Sequence, residues 1–236
     1  MTEELFRSDS YLKSCEAVVT AVSAGGIELN RTVFYPEGGG QPGDRGSLKL
    51  EDGRSVAISD TVKGSAAGSI LHLPAEEAPA LEAGSKVMAT LDWERRYRHM
   101  RMHSCLHLLC ALVVGDVTGG QIGAEKSRLD FNLPDGPPDK AQLQEDLNRL
   151  VREDHPVAAR WIEETEIEAN PQLVRTMSVK PPSGSGRVRL LDIEGVDLQP
   201  CGGTHVRSTA EIGRIEVGKI ENKGKQNRRI NLRLPD

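Results

Sequence analysis

Two short motifs that contain metal-binding side chains lie far apart in this chain of 236 residues. The first is a histidine pair, His103 and His107, and the second is the segment Cys201-Gly202-Gly203-Thr204-His205. Imidazole and thiolate groups are both preferred zinc ligands. If the two motifs form one site, the fold must bring a helix and a distant loop together, and this requirement restricts the architecture more than any other feature.

The histidine pair lies in the clearest helical pattern of the chain. An apolar stripe recurs at the spacing of an amphipathic helix, formed by Met102, Leu106, Leu109 and Val113. Residues four apart share a helix face, so both imidazoles can point at one ion, beside the apolar stripe rather than in it. Because His99 stands four residues before His103, periodicity leaves open which pair binds. The alternative is a pair of histidines that lie at the surface or have their hydrogen bonds satisfied within the fold.

The second motif is a glycine-containing loop. Its two glycines let the backbone fold tightly enough for Cys201 and His205 to converge. A turn with a free thiol is the alternative for this motif alone. The chain has four cysteines, two of them inside the predicted helix, and this arrangement does not favour a secreted disulfide framework.

The pattern of apolar residues predicts an α+β fold with two domains, 1–91 and 92–236. Short strands separated by glycine-rich turns predict a small β-barrel-like N-terminal domain. From Asp92 helices and strands are mixed, which predicts a two-layer domain with an antiparallel sheet. We expect a helix capped by Asp139, and strands at Val157–Ile162, Arg187–Ile193, Arg214–Ile220 and Arg229–Leu234.

Charge is unevenly distributed along the chain. The net charge is −5, yet the segment from Arg207 to Arg233 carries eight basic and three acidic residues. A second basic cluster, containing Arg95 and Arg96, precedes the histidine pair. This asymmetry indicates either a surface that binds polyanions or ordinary solvated faces.

Several classes of protein are excluded or disfavoured. The longest apolar run has seven residues, Leu108 to Val114, and is too short to span a bilayer. The polar, acidic N-terminus does not resemble a signal peptide, so we expect a cytoplasmic protein without a membrane partner. The chain lacks a glycine-rich Walker lysine motif, so no nucleotide cofactor is expected.

Three motifs in this order resemble the editing region of alanyl-tRNA synthetases, and most closely the medium-length, free-standing AlaX editing proteins. They are Phe34–Asp44, His103–Leu109 and Cys201–Val206. The resemblance implies that His103, His107, Cys201 and His205 bind Zn²⁺, which leaves His99 outside the site. It also implies that Gln121 and the segment Arg128–Phe131 line the editing pocket.

The resemblance implies a hydrolase that removes chiefly serine, with glycine as a second candidate, from the acceptor end of mischarged tRNA(Ala). Zinc would either activate water and polarise the ester or position the substrate, and both options stay open. Gln121, Thr204 and Gln41 are the candidates for contacting the serine hydroxyl. The predicted phosphate contacts are Arg95, Arg96, Lys223, Lys225, Arg228 and Arg229.

Three alternatives compete with this hypothesis. A catalytically inactive RNA-binding module with a structural zinc would keep the metal site and lose hydrolysis. A cysteine nucleophile is disfavoured, because a zinc-bound thiolate attacks poorly. A zinc peptidase is disfavoured because no glutamate follows His103 to act as the base.

Overall fold

Short strands, several with alternating buried and exposed side chains, form the N-terminal part of the chain. A computed structural model describes residues 1–75, 81–170, 173–174 and 186–235. In chain order the first elements are β1 (Glu3–Glu4), α1 (Leu5–Ser8), β2 (Ser14–Ser23), β3 (Gly26–Leu29), β4 (Arg31–Thr32), β5 (Gly46–Leu50), β6 (Ser55–Lys63), β7 (Ile70–Pro74) and β8 (Lys86–Leu91). Strands β2-β3-β7-β6-β5-β8 close into an antiparallel barrel, which confirms the predicted barrel.

The glycine-rich segment between β4 and β5 is held at both ends. The backbone N–H of Tyr35 donates to the Asp44 carboxylate at 2.6 Å, and the N–H of Asp44 donates to the Tyr35 carbonyl at 2.9 Å. The Thr61 hydroxyl donates to the Asp44 carbonyl at 2.9 Å. A Cβ at Gly43 would lie 2.0 Å from the Thr61 carbonyl oxygen, so only glycine fits this close approach.

A buried histidine, His72, links three strands of the N-terminal part. Its Nδ1 lies 3.0 Å from the Ile27 carbonyl, so Nδ1 carries the proton and donates. Its Nε2 lies 2.8 Å from the Thr32 hydroxyl, which donates to it. Burial lowers the pKa of His72 to about 4, and the hydrogen bond with Ile27 only partly opposes this effect. The neutral imidazole is therefore the form that fits the fold.

We expect His72 to make the protein less stable in mild acid. Between pH 6.5 and about 4 the unfolded chain binds a proton that folded His72 does not, so the free energy of unfolding rises with pH. Stability is lost as the pH falls, by about 1.4 kcal/mol per unit and about 3 kcal/mol over the whole window. Urea unfolding of wild type and His72→Gln at several pH values measures this difference. Equal pH dependence of the two proteins between pH 6.5 and 4 would contradict it.

The C-terminal part combines two antiparallel sheets with helices. Its elements are α2 (Trp93–Leu112), β9 (Asp116–Gln121), β10 (Lys126–Asn132), α3 (Lys140–Arg152), β11 (Val157–Glu163), α4 (Glu164–Ala169), β12 (Arg187–Ile193), β13 (Asp197–Pro200), a 3-10 helix (Thr209–Ile212), β14 (Glu216–Asn222) and β15 (Asn227–Arg233). One sheet has the order β14-β15-β10-β9 and the other β11-β12-β13. The predicted α+β class and antiparallel sheets are confirmed.

The predicted elements differ from the structure at a few places. Asp139 caps α3 as predicted, since its carboxylate accepts from the Gln142 N–H at 2.8 Å. The last two strands lie at 216–222 and 227–233 instead of 214–220 and 229–234. Strands β9 and β10 are absent from the prediction. In β9 two consecutive glycines, which are weak strand formers, conceal the strand.

Contacts divide the chain into two compact units, Met1–Tyr97 and Arg98–Asp236, and the division falls inside α2. The predicted domain limits, 1–91 and 92–236, stay a prediction. Among the described residues no helix is both long enough and apolar enough to cross a membrane.

Candidate metal centre

The part of α2 from Met102 to Cys110 is buried on every side. All residues from Met102 to Cys110 are buried, including His103 at 8% and His107 at 6% exposure. The prediction that the histidine pair lies beside the core is therefore wrong, because packing covers both the apolar stripe and the histidine face. Two imidazoles in such surroundings need polar partners or a metal ion.

The loop Cys201–His205 is held by a buried arginine. The Cys201 N–H donates to the Arg189 carbonyl at 3.0 Å, which continues the pairing of β13 with β12. The Arg189 guanidinium donates to the carbonyls of Cys201 at 2.8 Å and Gly203 at 3.1 Å. Because one group binds two carbonyls two residues apart, the turn that presents Cys201 has a defined shape.

The helix and the loop bring four potential ligand atoms together. One atom each from His103, His107, Cys201 and His205 lies within 4.8 Å of the others. The Cys201 Sγ is 3.5 Å from His103 Nε2 and 3.1 Å from His205 Nε2. Tetrahedral zinc with bonds to sulfur of about 2.3 Å and to nitrogen of about 2.1 Å separates such atoms by roughly 3.6 Å. The donor set therefore has the composition of a zinc site, and the two sulfur–nitrogen distances lie within about 0.5 Å of the tetrahedral separation.

The imidazoles of His107 and His205 each have a buried polar partner at the Nδ1 atom. The Nδ1 of His107 is 3.0 Å from the Asp197 carboxylate, and the Nδ1 of His205 is 3.2 Å from the Ser104 hydroxyl. Neither Asp197 nor Ser104 is among the residues predicted from the sequence to belong to the site. For Asp197 a signal exists: Asp197, Gln199 and Cys201 alternate along the chain, as residues on one face of a strand do.

Burial and mutual interaction shift the pKa values of this cluster. Burial raises the pKa of the Cys201 thiol, but attraction by the imidazoles of His103 and His205 outweighs it and lowers that pKa well below 9.0. Burial and repulsion by His103 lower the pKa of His205 well below 6.5. Burial also lowers the pKa of His107, but the hydrogen bond with Asp197 and the nearby Cys201 raise it to about 9.

Two of these shifts favour the metal-binding state, whereas His107, whose pKa is raised, has to lose a proton when a metal binds. The Cys201 thiolate and the neutral His205 imidazole are the protonation states that bind metals. Cys201 is free of any disulfide, and it is the one partly exposed member of the four. A borderline-soft ion such as Zn²⁺ fits three imidazoles and one thiolate better than Mg²⁺ or Ca²⁺ do.

The three residues predicted to contact the serine hydroxyl lie in different surroundings. Thr204 is fully buried inside the ligand loop. Gln121 is exposed at the end of β9, where it pairs with Arg128 of β10. Gln41 is buried in the unit Met1–Tyr97, and its backbone exchanges hydrogen bonds with Gly38. All three roles stay predictions.

One of the predicted phosphate contacts, Arg96, is fully buried. Its Nε donates to the two Asp44 carboxylate oxygens at 3.0 and 2.9 Å, and its other nitrogens donate to the carbonyls of Val33 and Ser10. The prediction that Arg96 contacts phosphate is therefore wrong, since the side chain has no exposed surface to offer. Arg95 is half-buried and donates to the Gly43 carbonyl at 2.6 Å.

The basic residues near the C-terminus differ in how strongly they are neutralised. Lys225 is exposed at the β14–β15 turn, and Lys223 is exposed with Glu221 at 3.1 Å. Arg229 forms two hydrogen bonds with Asp130, at 2.8 and 2.9 Å. Arg228 donates to the backbone carbonyls of Gly224 and Asn227. The turn lysines are thus the more accessible cations of this group.

The chain is similar to known proteins along its whole length. Residues 188–231 match the family model of the threonyl and alanyl tRNA synthetase second additional domain, and residues 7–95 match that of the class II (A) tRNA synthetases. Alanyl-tRNA editing protein AlaX-M of Methanosarcina acetivorans is 38% identical over 245 residues, which cover 100% of both chains. AlaX-M of Saccharolobus solfataricus is 35% identical over 98% of both chains. An alanine--tRNA ligase of Pyrobaculum neutrophilum is 38% identical over 93% of this chain and 25% of its own length.

Proposed function

The chain belongs to the AlaX family of alanyl-tRNA editing proteins, and on that premise we propose that it hydrolyses mischarged tRNA(Ala) at a zinc site. The bond cleaved is the ester that joins serine, and secondarily glycine, to the terminal adenosine. The observation that carries the proposal is the convergence of three imidazoles and one thiol within 4.8 Å. The proposed enzyme acts in the cytoplasm on the acceptor end of the tRNA.

The four proposed zinc ligands are His103, His107, Cys201 and His205. Zinc bound there would act as a Lewis acid that polarises the ester carbonyl, or it would bind and orient a polar group of the substrate. If all four side chains coordinate at once, the site is closed, whereas catalysis needs an open position. Cys201 is partly exposed, and this supports it as the ligand beside which substrate enters.

Selection of serine over alanine rests on hydrogen bonds to the serine hydroxyl. Alanine leaves such polar groups unpaired, so a site built around the hydroxyl rejects alanine strongly. Thr204 is the candidate nearest in sequence to the ligands, and Gln121 and Gln41 are the others. The tRNA backbone would meet the exposed Lys223 and Lys225 together with Arg95, Arg228 and Arg229.

A second function is compatible with the same site. Four protein ligands around zinc are typical of structural sites, so an inactive tRNA-binding module would show the same cluster. The two functions differ in one respect, since only the enzyme releases the amino acid.

The test compares tRNA(Ala) charged with serine, glycine or alanine, with and without a chelator. We expect rapid loss of the seryl ester, survival of most of the alanyl ester, and loss of hydrolysis when the chelator removes zinc. Equal hydrolysis of the alanyl ester would contradict the selectivity. Zinc-loaded protein that binds Ser-tRNA(Ala) without cleaving it would support the inactive module instead.

A further inference from the structure

A second group of buried polar side chains lies behind the four ligand atoms. The Asp197 carboxylate is 3.0 Å from His107 Nδ1 through its Oδ2. The same oxygen accepts a hydrogen bond of 2.6 Å from the Gln199 side-chain amide. Asp197 and Gln199 are only 5% and 4% exposed. Burial of a carboxylate destabilises the folded protein unless hydrogen bonds compensate for the lost solvation. The contacts of Asp197 with His107 and Gln199 provide this compensation.

Strand β13 explains how these groups meet. Asp197 and Gln199 lie on one face of the strand because successive side chains alternate between faces, and Cys201 follows at the same spacing. Their partners on β12 are Ile193 and Leu191, which fix the register. The same short segment therefore carries one proposed ligand, Cys201, and also Asp197, which contacts the proposed ligand His107.

The imidazoles of His205 and His107 are held by hydrogen-bonding groups of different strength. His205 Nδ1 faces the Ser104 hydroxyl, which also accepts the Val206 backbone N–H at 3.3 Å. His107 Nδ1 faces a carboxylate, and hydrogen bonds to a charged acceptor are roughly twice as strong as neutral ones. His107 is therefore the more firmly oriented of these two rings.

We propose that Asp197 is a positioning residue for metal binding, and that Gln199 holds its carboxylate in place. Asp197 keeps the proton of His107 on Nδ1, so that the lone pair of Nε2 faces Cys201 and the other ligands. A carboxylate in this position also increases the basicity of the imidazole as a ligand. The inference rests on the proposed zinc site, and it assigns roles to two residues outside the four proposed ligands.

The substitution Asp197→Asn tests this role while keeping the size of the side chain. We expect it to weaken zinc binding by about 10- to 100-fold, measured by competition with a chromogenic chelator. Asp192→Asn is the matched control, because Asp192 lies on the adjacent strand with its side chain partly exposed near Arg160. We expect this control to bind zinc as wild type does.

Thermal unfolding separates positioning from a purely structural role. If Asp197 positions His107, the metal-free Asp197→Asn protein unfolds near the wild-type temperature, but its stabilisation by added zinc shrinks. A structural role predicts the reverse: a lower unfolding temperature without metal and an unchanged affinity of the folded protein. The Co²⁺-loaded proteins add a spectroscopic signature, since a reoriented His107 alters the visible d–d bands.

Gln199→Met provides a second test in case Asp197→Asn does not fold. We expect a smaller loss of zinc affinity, of several-fold, because the carboxylate remains but loses its donor. Wild-type affinity in both variants, or in Gln199→Met when it alone folds, overturns the inference. If the wild-type protein binds no zinc, that result contradicts the proposed function itself. If the wild-type protein binds zinc and the variants bind it equally well, only the role of Asp197 and Gln199 is contradicted.

Discussion

Replacing His103 by alanine is expected to lower kcat/KM for Ser-tRNA(Ala) hydrolysis by more than about 100-fold and to release most of the bound zinc. The effect should exceed that of Asp197→Asn because a ligand is lost rather than a partner of a ligand. His103 Nε2 lies 3.5 Å from the Cys201 Sγ, so its removal takes away one side of the cluster. Deacylation rates and zinc content of the purified variant measure the two losses together.

His155→Ala is the control for the loss of an imidazole. The ring nitrogens of His155 contact the Glu153 carboxylate and the Glu194 carbonyl, both at 3.0 Å, and His155 is not part of the metal cluster. We expect wild-type zinc content and activity from this variant. A zinc-free His103→Ala protein that deacylates at the wild-type rate would refute the role of the metal in catalysis.

Replacing Arg96 by methionine is expected to lower the free energy of unfolding by about 3–5 kcal/mol. Arg96 and Asp44 are 0% and 1% exposed, so the variant leaves a buried carboxylate without its counter-ion. The carbonyls of Val33 and Ser10 also lose their donor. Urea unfolding with both fluorescence and circular dichroism detection measures the change.

Two further variants sharpen this test. Arg54→Met removes an arginine from an exposed pair with Asp52, and we expect little measurable change because solvent screens such pairs. The double variant Arg96→Met with Asp44→Asn should recover part of the lost stability, since no unpaired charge remains. A change in the free energy of unfolding of less than about 1 kcal/mol for Arg96→Met would contradict the structural role of the buried Arg96–Asp44 pair.

Local signals predicted several elements of the fold correctly. Asp139 precedes α3 as an N-cap, and the capping hydrogen bond to Gln142 depends only on residues three apart. The strand predicted at Arg187–Ile193 has the bounds found in β12. The cap depends on an interaction between residues that are three apart, and the strand is marked by a strong apolar pattern.

Non-local contacts explain the elements that were missed. β9 contains Gly119 and Gly120, which have low strand propensity, and it forms because Gly120 pairs with Leu129 of β10. A Cβ at Gly120 would lie 2.8 Å from the Leu129 side chain, so the glycine also serves this packing. Neither interaction is visible in the composition of the strand itself.

Local patterns of residue types are enough to predict the two metal-binding motifs. They also predict that the histidine pair lies in a helix and that Cys201 lies in a loop. The meeting of Cys201 with His103, the contact of Asp197 with His107 and the burial of Arg96 depend on tertiary structure. The partners in these three contacts are 98, 90 and 52 residues apart. Residue type and spacing control backbone conformation over a few residues, whereas burial and pairing over such separations depend on how sheets and helices pack.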